Sequence, residues 1–345
     1  MQKIWDKIKG SFFFVNKIYL FIIFLGLILT DATLGFYYFI LSIIVYGWKV
    51  VTSKVPMSTP QEVNKETYIY KTASNRDLKF DIYYPTANRQ KNYPFIYFCH
   101  GGGWISGFRN QPSNVSWCKY LSSKGFTIAS IDYRYGYRND MDDILSDYTD
   151  GLNYIRKHAR KLKVDKTNIV LMGLSAGGHL ALLYSTYNTF IENTNSMEGI
   201  KSVVAYYPPS NLADLLSSDN KSIFARFATR RTLNGKPREL KEIYDYYSPI
   251  NYVSSNMIPT LIAHGKLDNT VPFQSSINLI KRLDYYNVDH TFLVHKNGDH
   301  VFDTTLSDYT TINIIEKTVR YIKSSTKKGK VHDNNPYRDS KKKYK

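Results

Sequence analysis

From about residue 68 onward, short apolar runs alternate along the chain with longer stretches whose apolar residues recur at the helical period. The apolar runs predict strands at residues 79–84, 95–100, 127–132, 169–173, 202–207, 260–264 and 291–295. The stretches between them predict helices at residues 112–124, 141–161, 176–187, 274–286 and 309–324. Because nearly continuous apolar strands are separated by helices, we predict an α/β fold with a mostly parallel sheet covered on both faces.

One segment interrupts this alternation. Residues 208–250 are polar and helix-like, and they lie between two predicted strands. Open α/β sheets bind their ligands beyond the carboxyl ends of the strands. We therefore predict that residues 208–250 form a small cap over a binding site at that edge of the sheet.

The N-terminal part has a different pattern, with two long apolar stretches within residues 12–48. Asp31 is the only charged residue between Lys17 and Lys49. This run is too long and too apolar for a soluble amphipathic helix, so we predict that residues 12–48 contact membrane lipid. A cleaved signal peptide ending near residues 30–32 is the alternative, but a second apolar stretch follows it directly.

A helical hairpin fits this anchor better than one long helix. A single helix over residues 18–48 would be about 46 Å long, against a hydrocarbon core of about 30 Å, and it would hold Asp31 near the bilayer middle. A turn at residues 30–35 removes both difficulties. Lysines then flank both outer ends, and the positive-inside rule favours a cytoplasmic location of the α/β domain at the cell membrane. A single span with the domain outside the cell is the alternative.

Composition and charge define the remaining segments. We predict an anchor at residues 1–54, a linker at 55–66, the α/β domain at 67–325 and a disordered basic tail at 326–345. The chain has a formal net charge of +17, but no recognition motif for nucleic acid accompanies it, so no nucleic-acid partner is expected. The tail either contacts anionic lipid or an envelope polymer, or is simply solvated. The two cysteines exclude a disulfide framework and a cysteine metal site.

The first chemical signal is a Gly-x-Ser-x-Gly sequence centred on Ser175, between the predicted strand at 169–173 and the predicted helix at 176–187. A sharp turn at such a junction exposes the serine in a strained conformation, and small residues are needed where the backbone is crowded. The helix N-terminus adds amide donors and the positive end of a dipole. Ser175 is therefore the candidate nucleophile.

The second signal is the sequence HGGGW at residues 100–104, directly after a predicted strand. Three consecutive glycines let the backbone bend back with free N–H groups, as acyl transfer requires for its oxyanion. We expect the amides of Gly102, Gly103 and Ala176 to form the oxyanion hole.

Three further residues of this motif have supporting roles. His100 and Gly101 are expected to support the glycine loop. Trp104 either lines an acyl pocket or packs on the loop, and the sequence does not separate these two possibilities.

The third and fourth signals are Asp268 and His300, each on the segment that directly follows a predicted strand. Both therefore lie on the same edge of the sheet as Ser175. The order serine, acid, histidine along the chain is that of an α/β-hydrolase. His300 would act as the base and Asp268 would orient its ring. His295 is the alternative base, and the alternative acids are Asp299 and Asp303, which lie too near His300 in sequence to reach the far ring nitrogen.

These motifs resemble a known family. HGGGW, SIDYRY, VLMGLSAGGHLALL, SPINYV, PTLIAHGKLDNTVPF and GDHVF are similar to the hormone-sensitive-lipase-like and feruloyl- or acetyl-esterase-like branch of the α/β-hydrolases, over about residues 66–324. The resemblance implies an α/β-hydrolase fold and hydrolysis of small carboxylic esters without a cofactor or metal. It maps a structural helix aspartate to Asp147. The sequence DYRYGYRND departs from the family and leaves the substrate preference open.

Two other functions are compatible with these residues. An amide hydrolase, either a formamidase or a peptidase, could use the same triad. A membrane-tethered binding protein without catalytic activity is a second alternative, although such proteins typically lose members of the triad. The sequence does not specify the oligomeric state.

Overall fold

The computed structural model describes residues 51–85 and 93–326, together with Tyr37, Leu41, Val45, Gly47 and Trp48. The predicted basic tail, beyond its first residue, and nearly all of the predicted anchor lie outside these residues. Within the described ranges, none of the helices has the length and apolar character needed to cross a membrane.

The centre of the molecule is one eight-stranded sheet with the order β1-β2-β4-β3-β5-β6-β7-β8. The first three strands in this order pair antiparallel, and the remaining pairs are parallel. The prediction of a mostly parallel α/β sheet is confirmed. The strands are β1 (Lys65–Ala73), β2 (Arg76–Tyr83), β3 (Phe95–Cys99), β4 (Thr127–Ile131), β5 (Ile169–Leu174), β6 (Ile200–Tyr206), β7 (Thr260–Gly265) and β8 (His290–His295).

Helices cover both faces of this sheet. In the described part of the chain they are α1 (Pro112–Ser123), α2 (Met141–Lys157), α3 (Ala159–Leu162), α4 (Ala176–Phe190), α5 (Thr194–Met197), α6 (Ile223–Thr232), α7 (Lys241–Tyr246), α8 (Phe273–Tyr285), α9 (Phe302–Thr305) and α10 (Tyr309–Ser325). Helices α2, α4 and α8 contribute to one apolar core, and α1 and α10 to the other. The sheet is therefore the middle layer of three, as expected for strands that are apolar on both sides.

Helix α2 illustrates how local sequence sets the boundaries of an element. Its N-cap residue Asp140 accepts a hydrogen bond from the amide of Asp143, and acidic residues occupy the first turn. Basic residues occupy the last turn, where they complement the helix dipole. The helix predicted at residues 141–161 is divided at His158 into α2 and the short α3.

The start of the α/β domain differs from the sequence-based boundary. Strand β1 begins at Lys65, and Ser74 and Asn75 join it to β2 with φ angles of 50° and 56°. Two consecutive left-handed residues form the tight turn that hairpins favour. The segment predicted to be a linker at 55–66 therefore includes the first residues of β1. Val55 is also buried, and its amide donates to Ser116 Oγ on α1 at 3.0 Å.

The predicted cap is an insertion between β6 and β7, at the carboxyl edge of the sheet. It contains α6 and α7, flanked by the 3-10 turns Leu212–Leu216 and Pro249–Tyr252. Its base is fixed to the sheet domain by Ser210, whose amide donates to Ser275 Oγ on α8 at 2.9 Å. The two ends of the insertion are therefore joined to neighbouring strands of the sheet, β6 and β7.

Candidate active site

Ser175 lies at the sharp turn between β5 and α4, as the Gly-x-Ser-x-Gly sequence predicts. Its φ and ψ are 51° and −116°, a combination that a non-glycine residue rarely adopts. Its amide donates across to the end of β6 at 2.9 Å, and its carbonyl accepts the amide of His179 at 2.9 Å. These bonds hold the strained turn in place, so that the hydroxyl stands above the carboxyl edge of the sheet.

The glycines on either side of this turn are required by close backbone contacts. A Cβ atom at Gly173 would lie 2.2 Å from the carbonyl carbon of Gly177. A Cβ atom at Gly177 would lie 2.1 Å from the carbonyl oxygen of Cys99, at the end of β3. Larger residues would therefore push α4 away from the sheet and displace Ser175 with it.

The three residues predicted to act together are connected by hydrogen bonds. The Nε2 atom of His300 lies 3.0 Å from Ser175 Oγ, and its Nδ1 atom lies 2.7 Å from Asp268 Oδ2. Asp268 is on the loop after β7, and His300 is on the loop after β8. This geometry can move a proton from the serine hydroxyl to the imidazole while the carboxylate fixes the ring.

The carboxylate of Asp268 is fully buried and surrounded by donors. Its Oδ1 atom accepts the amides of Thr270 and Val271, both at 2.8 Å, and its Oδ2 atom also lies 3.0 Å from His264 Nε2. Burial alone would raise the pKa of Asp268. The charge of His300 and the hydrogen bonds from His264 and His300 outweigh burial and hold that pKa well below its usual range. Asp268 is therefore a carboxylate at neutral pH.

The pKa of His300 moves in the opposite direction. Burial lowers it, but the charge of Asp268 and the hydrogen bond to it raise it, with smaller contributions from Asp299 and Asp303. The net result is a pKa above the ordinary value for histidine. A raised pKa makes the imidazole a stronger proton acceptor, as a base requires.

The alternative candidates take other positions. Asp299 accepts the backbone amide of His300 at 2.7 Å and the side-chain amide of Asn269 at 3.2 Å, so it joins the loops after β7 and β8. His295 pairs through Nε2 with Asp308 Oδ1 at 3.1 Å. The hydrogen bonds of the His300 ring run instead to Ser175 and Asp268.

The glycine loop has the strained backbone that its sequence indicates. Gly102 and Gly103 have φ angles of 121° and 61°, and the carbonyl of Gly102 accepts the amides of Ile105 and Ser106. A Cβ atom at Gly101 would lie 3.3 Å from the Cβ of Ser175, so the loop directly adjoins the candidate nucleophile. Among the hydrogen bonds of the described residues, none uses the amides of Gly102, Gly103 or Ala176 as donors.

His100 and Trp104 pack behind this loop. The Nδ1 atom of His100 lies 2.6 Å from the carbonyl of Gly101, and its ring stacks on Tyr133 at 4.3 Å. Trp104 is buried, and its Nε1 donates to His179 Nδ1 at 3.3 Å. Of the two roles considered for Trp104, the structure therefore favours packing on the loop over lining a pocket.

His179 connects the loop to the cap. Its Nε2 atom lies 2.7 Å from the carbonyl of Tyr247, just after α7, while its Nδ1 accepts from Trp104. Burial lowers the pKa of His179 to about 4, so it is neutral and can accept and donate at the same time. The glycine loop, helix α4 and the cap are thus joined by one neutral imidazole.

Helix α6 of the cap packs directly on the glycine loop. A methyl group at Gly103 would lie 3.0 Å from the ring of Phe224 and 3.0 Å from the Cβ of Ala228. The insertion at residues 208–250 therefore contacts the expected oxyanion region, as its position at the carboxyl edge predicts. Arg226 anchors α6 by donating to the carbonyls of Leu216 and Ser217.

The departing sequence DYRYGYRND forms a loop secured by ion pairs. Asp147 is buried on α2 and accepts the backbone amide and the guanidinium of Arg134 at 2.8–2.9 Å, and it also pairs with Lys71. Asp132 pairs in the same way with Arg109, which also contacts Asp81. These positions agree with the structural role expected for Asp147.

Sequence reasoning assigned no active-site role to Tyr207 or His264. Tyr207 follows β6 with a φ of 39°, and its ring lies 4.5 Å from that of His300. Its signal in the sequence is its place directly after a buried strand, the same signal that identifies Ser175, Asp268 and His300. Within the described part of the chain, no group of His, Cys, Asp and Glu side chains could hold a metal ion.

Comparisons with known proteins give a consistent picture. The family model described as BD-FAE matches residues 80–283. A protein from Mycobacterium tuberculosis named Esterase LipC is 28% identical over 202 residues, which are 56% of this chain and 49% of that protein. A protein from Oryza sativa subsp. japonica named Probable isoprenylcysteine alpha-carbonyl methylesterase ICME is 25% identical over 243 residues, 67% of this chain and 56% of that protein.

Solved structures support the fold. The crystal structure of Esterase B from Lactobacillus rhamnosis superposes on this chain with a TM-score of 0.68 at 21% sequence identity. The superposition covers 83% of this chain and 92% of the esterase chain. This likeness establishes the α/β-hydrolase fold. The aligned region spans about half the length of the two curated relatives, 49% and 56%.

Proposed function

The chain belongs to the BD-FAE family, and from this premise we propose that it is a serine hydrolase that cleaves small carboxylic esters. The observation that carries the proposal is the continuous hydrogen-bonded path from Ser175 through His300 to Asp268. The names of these two relatives, an esterase and a probable methylesterase, support the choice of an ester as substrate.

In the first step, His300 Nε2 takes the proton of Ser175 Oγ while Oγ attacks the ester carbonyl carbon. The carbonyl π electrons move to the oxygen, and a tetrahedral intermediate forms. The Asp268 carboxylate stabilises the imidazolium that results. Its low pKa and its two backbone donors keep it ionised and correctly oriented throughout.

The negative oxygen of the intermediate needs preset donors. The uncommitted amides of Gly102, Gly103 and Ala176 are the candidates, because the glycine loop adjoins Ser175 and Ala176 begins α4. Backbone amides near a helix N-terminus favour negative charge and need no reorganisation during the reaction. Removing one donor of this kind typically costs about 10²–10³ in kcat.

The cycle closes by the reverse proton transfers. His300 Nε2 gives its proton to the alcohol oxygen as the carbon–oxygen bond breaks, which leaves an acyl group on Ser175. Water then attacks the acyl carbon, with His300 accepting one of its protons. As the second tetrahedral intermediate collapses, the bond between the acyl carbon and Oγ breaks and His300 Nε2 returns its proton to Oγ. The carboxylic acid leaves, and the serine hydroxyl is restored.

A fluorophosphonate probe tests this proposal directly. The full chain should become labelled on Ser175, identified by mass spectrometry of its peptide, and labelling should abolish hydrolysis of p-nitrophenyl acetate. Ser175→Ala should eliminate both reactions, whereas Ser218→Ala, at a cap serine bonded to neighbouring Asp219, should leave both unchanged. Absence of labelling and hydrolysis in the wild-type chain would indicate a binding protein instead of an enzyme.

We propose in addition that residues 12–48 anchor the enzyme in the cell membrane, with the α/β domain in the cytoplasm. The apolar composition of this segment and the lysines at its two outer ends support the arrangement. Protease treatment of intact cells, followed by blotting for the C-terminal tail, tests it. Digestion of the α/β domain without lysis would place the enzyme outside and contradict the hairpin.

A further inference from the structure

A buried carboxylate lies behind the proposed base. Asp303 is on the short helix α9, three residues after His300, and its side chain is fully buried. One of its oxygens accepts Trp117 Nε1 at 2.6 Å, and the other accepts the hydroxyl of Tyr207 at 2.7 Å. A buried carboxylate is costly even when hydrogen bonded, and an apolar residue at such a position is often equally stable. Packing alone therefore does not explain Asp303.

Tyr207 connects this carboxylate to the imidazole. The rings of Tyr207 and His300 have centroids 4.5 Å apart and planes inclined at 58°. The backbone of Tyr207 has a φ of 39°, and its amide donates to the carbonyl of Ala263 at 2.6 Å. Strained backbone of this kind clusters at functional sites, where the surrounding structure maintains it. Here the strained residue is the one whose phenol ring packs against the His300 imidazole.

An aromatic ring in this position affects the charged form of histidine. The face of an aromatic ring attracts a cation, and the attraction is stronger away from water. A phenol that donates its hydroxyl proton to a carboxylate has a more electron-rich ring. The pair of Tyr207 and Asp303 is thus suited to stabilise an imidazolium at His300.

Three acidic residues face His300 from different elements. Asp268, on the loop after β7, accepts from its Nδ1, and Asp299, on its own loop, accepts its backbone amide. Asp303 acts from α9, with the Tyr207 ring between. Burial raises the pKa of Asp303 and outweighs the donors Trp117 and Tyr207, which lower it. As a carboxylate, Asp303 raises the pKa of His300.

We propose that Tyr207 and Asp303 are positioning residues for the base, an inference that rests on the proposed function. Asp303 fixes the phenol, and the phenol ring holds the His300 imidazole within reach of Ser175. When the Oγ–H bond of Ser175 breaks and the Nε2–H bond of His300 forms, the ring and the carboxylate stabilise the new imidazolium. Neither residue exchanges a proton with the substrate.

Two conservative variants of the full chain test this role. Asp303→Asn and Tyr207→Phe should each lower kcat on p-nitrophenyl acetate about tenfold, a fraction of the 10²–10⁴ that a general base contributes, with KM changed less than about twofold. Loss of the Asp303 charge lowers the pKa of His300. The acidic limb of kcat/KM should therefore move to lower pH by about 0.5 unit in Asp303→Asn, and in the same direction in Tyr207→Phe.

Tyr206→Phe is a matched control. Tyr206 is an equally buried neighbour whose hydroxyl pairs with Thr318 on α10, away from His300. This variant should keep the wild-type acidic limb even if its melting temperature falls. A loss of kcat in Asp303→Asn and Tyr207→Phe without movement of the limb would overturn the inference, because destabilisation alone produces that result. A wild-type chain that neither hydrolyses esters nor reacts with fluorophosphonate would instead contradict the proposed function.

Discussion

His264 Nε2 lies 3.0 Å from Asp268 Oδ2, the same oxygen that lies 2.7 Å from His300 Nδ1. His264 Nε2 also lies 3.2 Å from the carbonyl of Val271, while its Nδ1 lies 2.7 Å from the hydroxyl of Ser276. A carbonyl only accepts, so the proton of His264 is on Nε2 and the imidazole donates to Asp268. One carboxylate oxygen therefore contacts two histidines, and His264 helps to orient Asp268, the acid proposed to orient the base.

Replacing His264 should slow the reaction without weakening substrate binding. In His264→Gln, Asp268 loses a buried charge-assisted hydrogen bond worth about 1.5–3 kcal/mol, so we expect kcat to fall about tenfold while KM stays constant. His295→Gln is the matched control, because His295 is also buried at the end of a strand and paired with a carboxylate, that of Asp308. Equal loss of kcat in both variants would show that His264 has only a general structural role.

The pH dependence of the reaction should report the charge of Asp268. His300 must be neutral to accept a proton, and its pKa is raised, so activity should fall as the pH drops through a value above the ordinary 6.5. Asp268→Asn removes the largest raising influence. The midpoint of the acidic limb of kcat/KM should then move to lower pH, and kcat should drop by about 10³–10⁴. An unchanged midpoint would contradict the assignment of Asp268 as the orienting acid.

A methyl group at Gly103 should disturb the cap and the glycine loop together. Gly103→Ala introduces a Cβ atom 3.0 Å from Phe224 and Ala228 at a φ of 61°, so we expect kcat to fall about 10²-fold as the loop amides shift. Gly125→Ala, after α1, is the control for backbone strain, since its φ is 90° and no atom lies within 4 Å of the new Cβ. Both variants should lose about 1–2 kcal/mol of stability, but only the first should lose activity.

The enzyme should prefer short or compact acyl groups over long fatty chains. The cap is of modest length, and α6 packs on Gly103 through Phe224 and Ala228. We therefore expect limited room for a long acyl chain beside the glycine loop. Specificity constants for the acetyl, butyryl and palmitoyl esters of p-nitrophenol measure the preference. The order acetyl or butyryl above palmitoyl is expected, and a palmitoyl optimum would contradict it.

The sequence predicted the parallel sheet and the neighbourhood of Ser175, Asp268 and His300 because each of these residues lies on the segment that follows an apolar strand. The carboxyl ends of parallel strands lie at one edge of the sheet, so residues that follow different strands along the chain lie close together in space. The same logic did not identify β1, because its first three residues are polar and exposed and the rest mixes exposed with partly buried positions, so no long apolar run results. The linker predicted at residues 55–66 includes Val55 for a similar reason, because one buried side chain produces no hydrophobic periodicity.

The contacts made by Tyr207 and Asp303 were beyond sequence reasoning for a different reason. Their hydrogen bond joins residues 96 positions apart, and Trp117 is 186 positions from Asp303. Such pairings depend on how helices α1 and α9, which are far apart along the chain, come together in the fold, and hydrophobic periodicity does not encode that contact. The sequence offers Asp303 as an alternative acid, but its position three residues after His300 gives no indication of the phenol ring between them.

The insertion at residues 208–250 has an evolutionary consequence. Its two ends join β6 and β7, which are adjacent in the sheet, whereas Ser175, Asp268, His300 and the glycine loop all lie outside it. If the proposed function holds, exchange of this one segment could change substrate choice while the proposed catalytic residues stay unchanged. Any replacement segment would also have to pack against Gly103, as the side chains of Phe224 and Ala228 do in this chain.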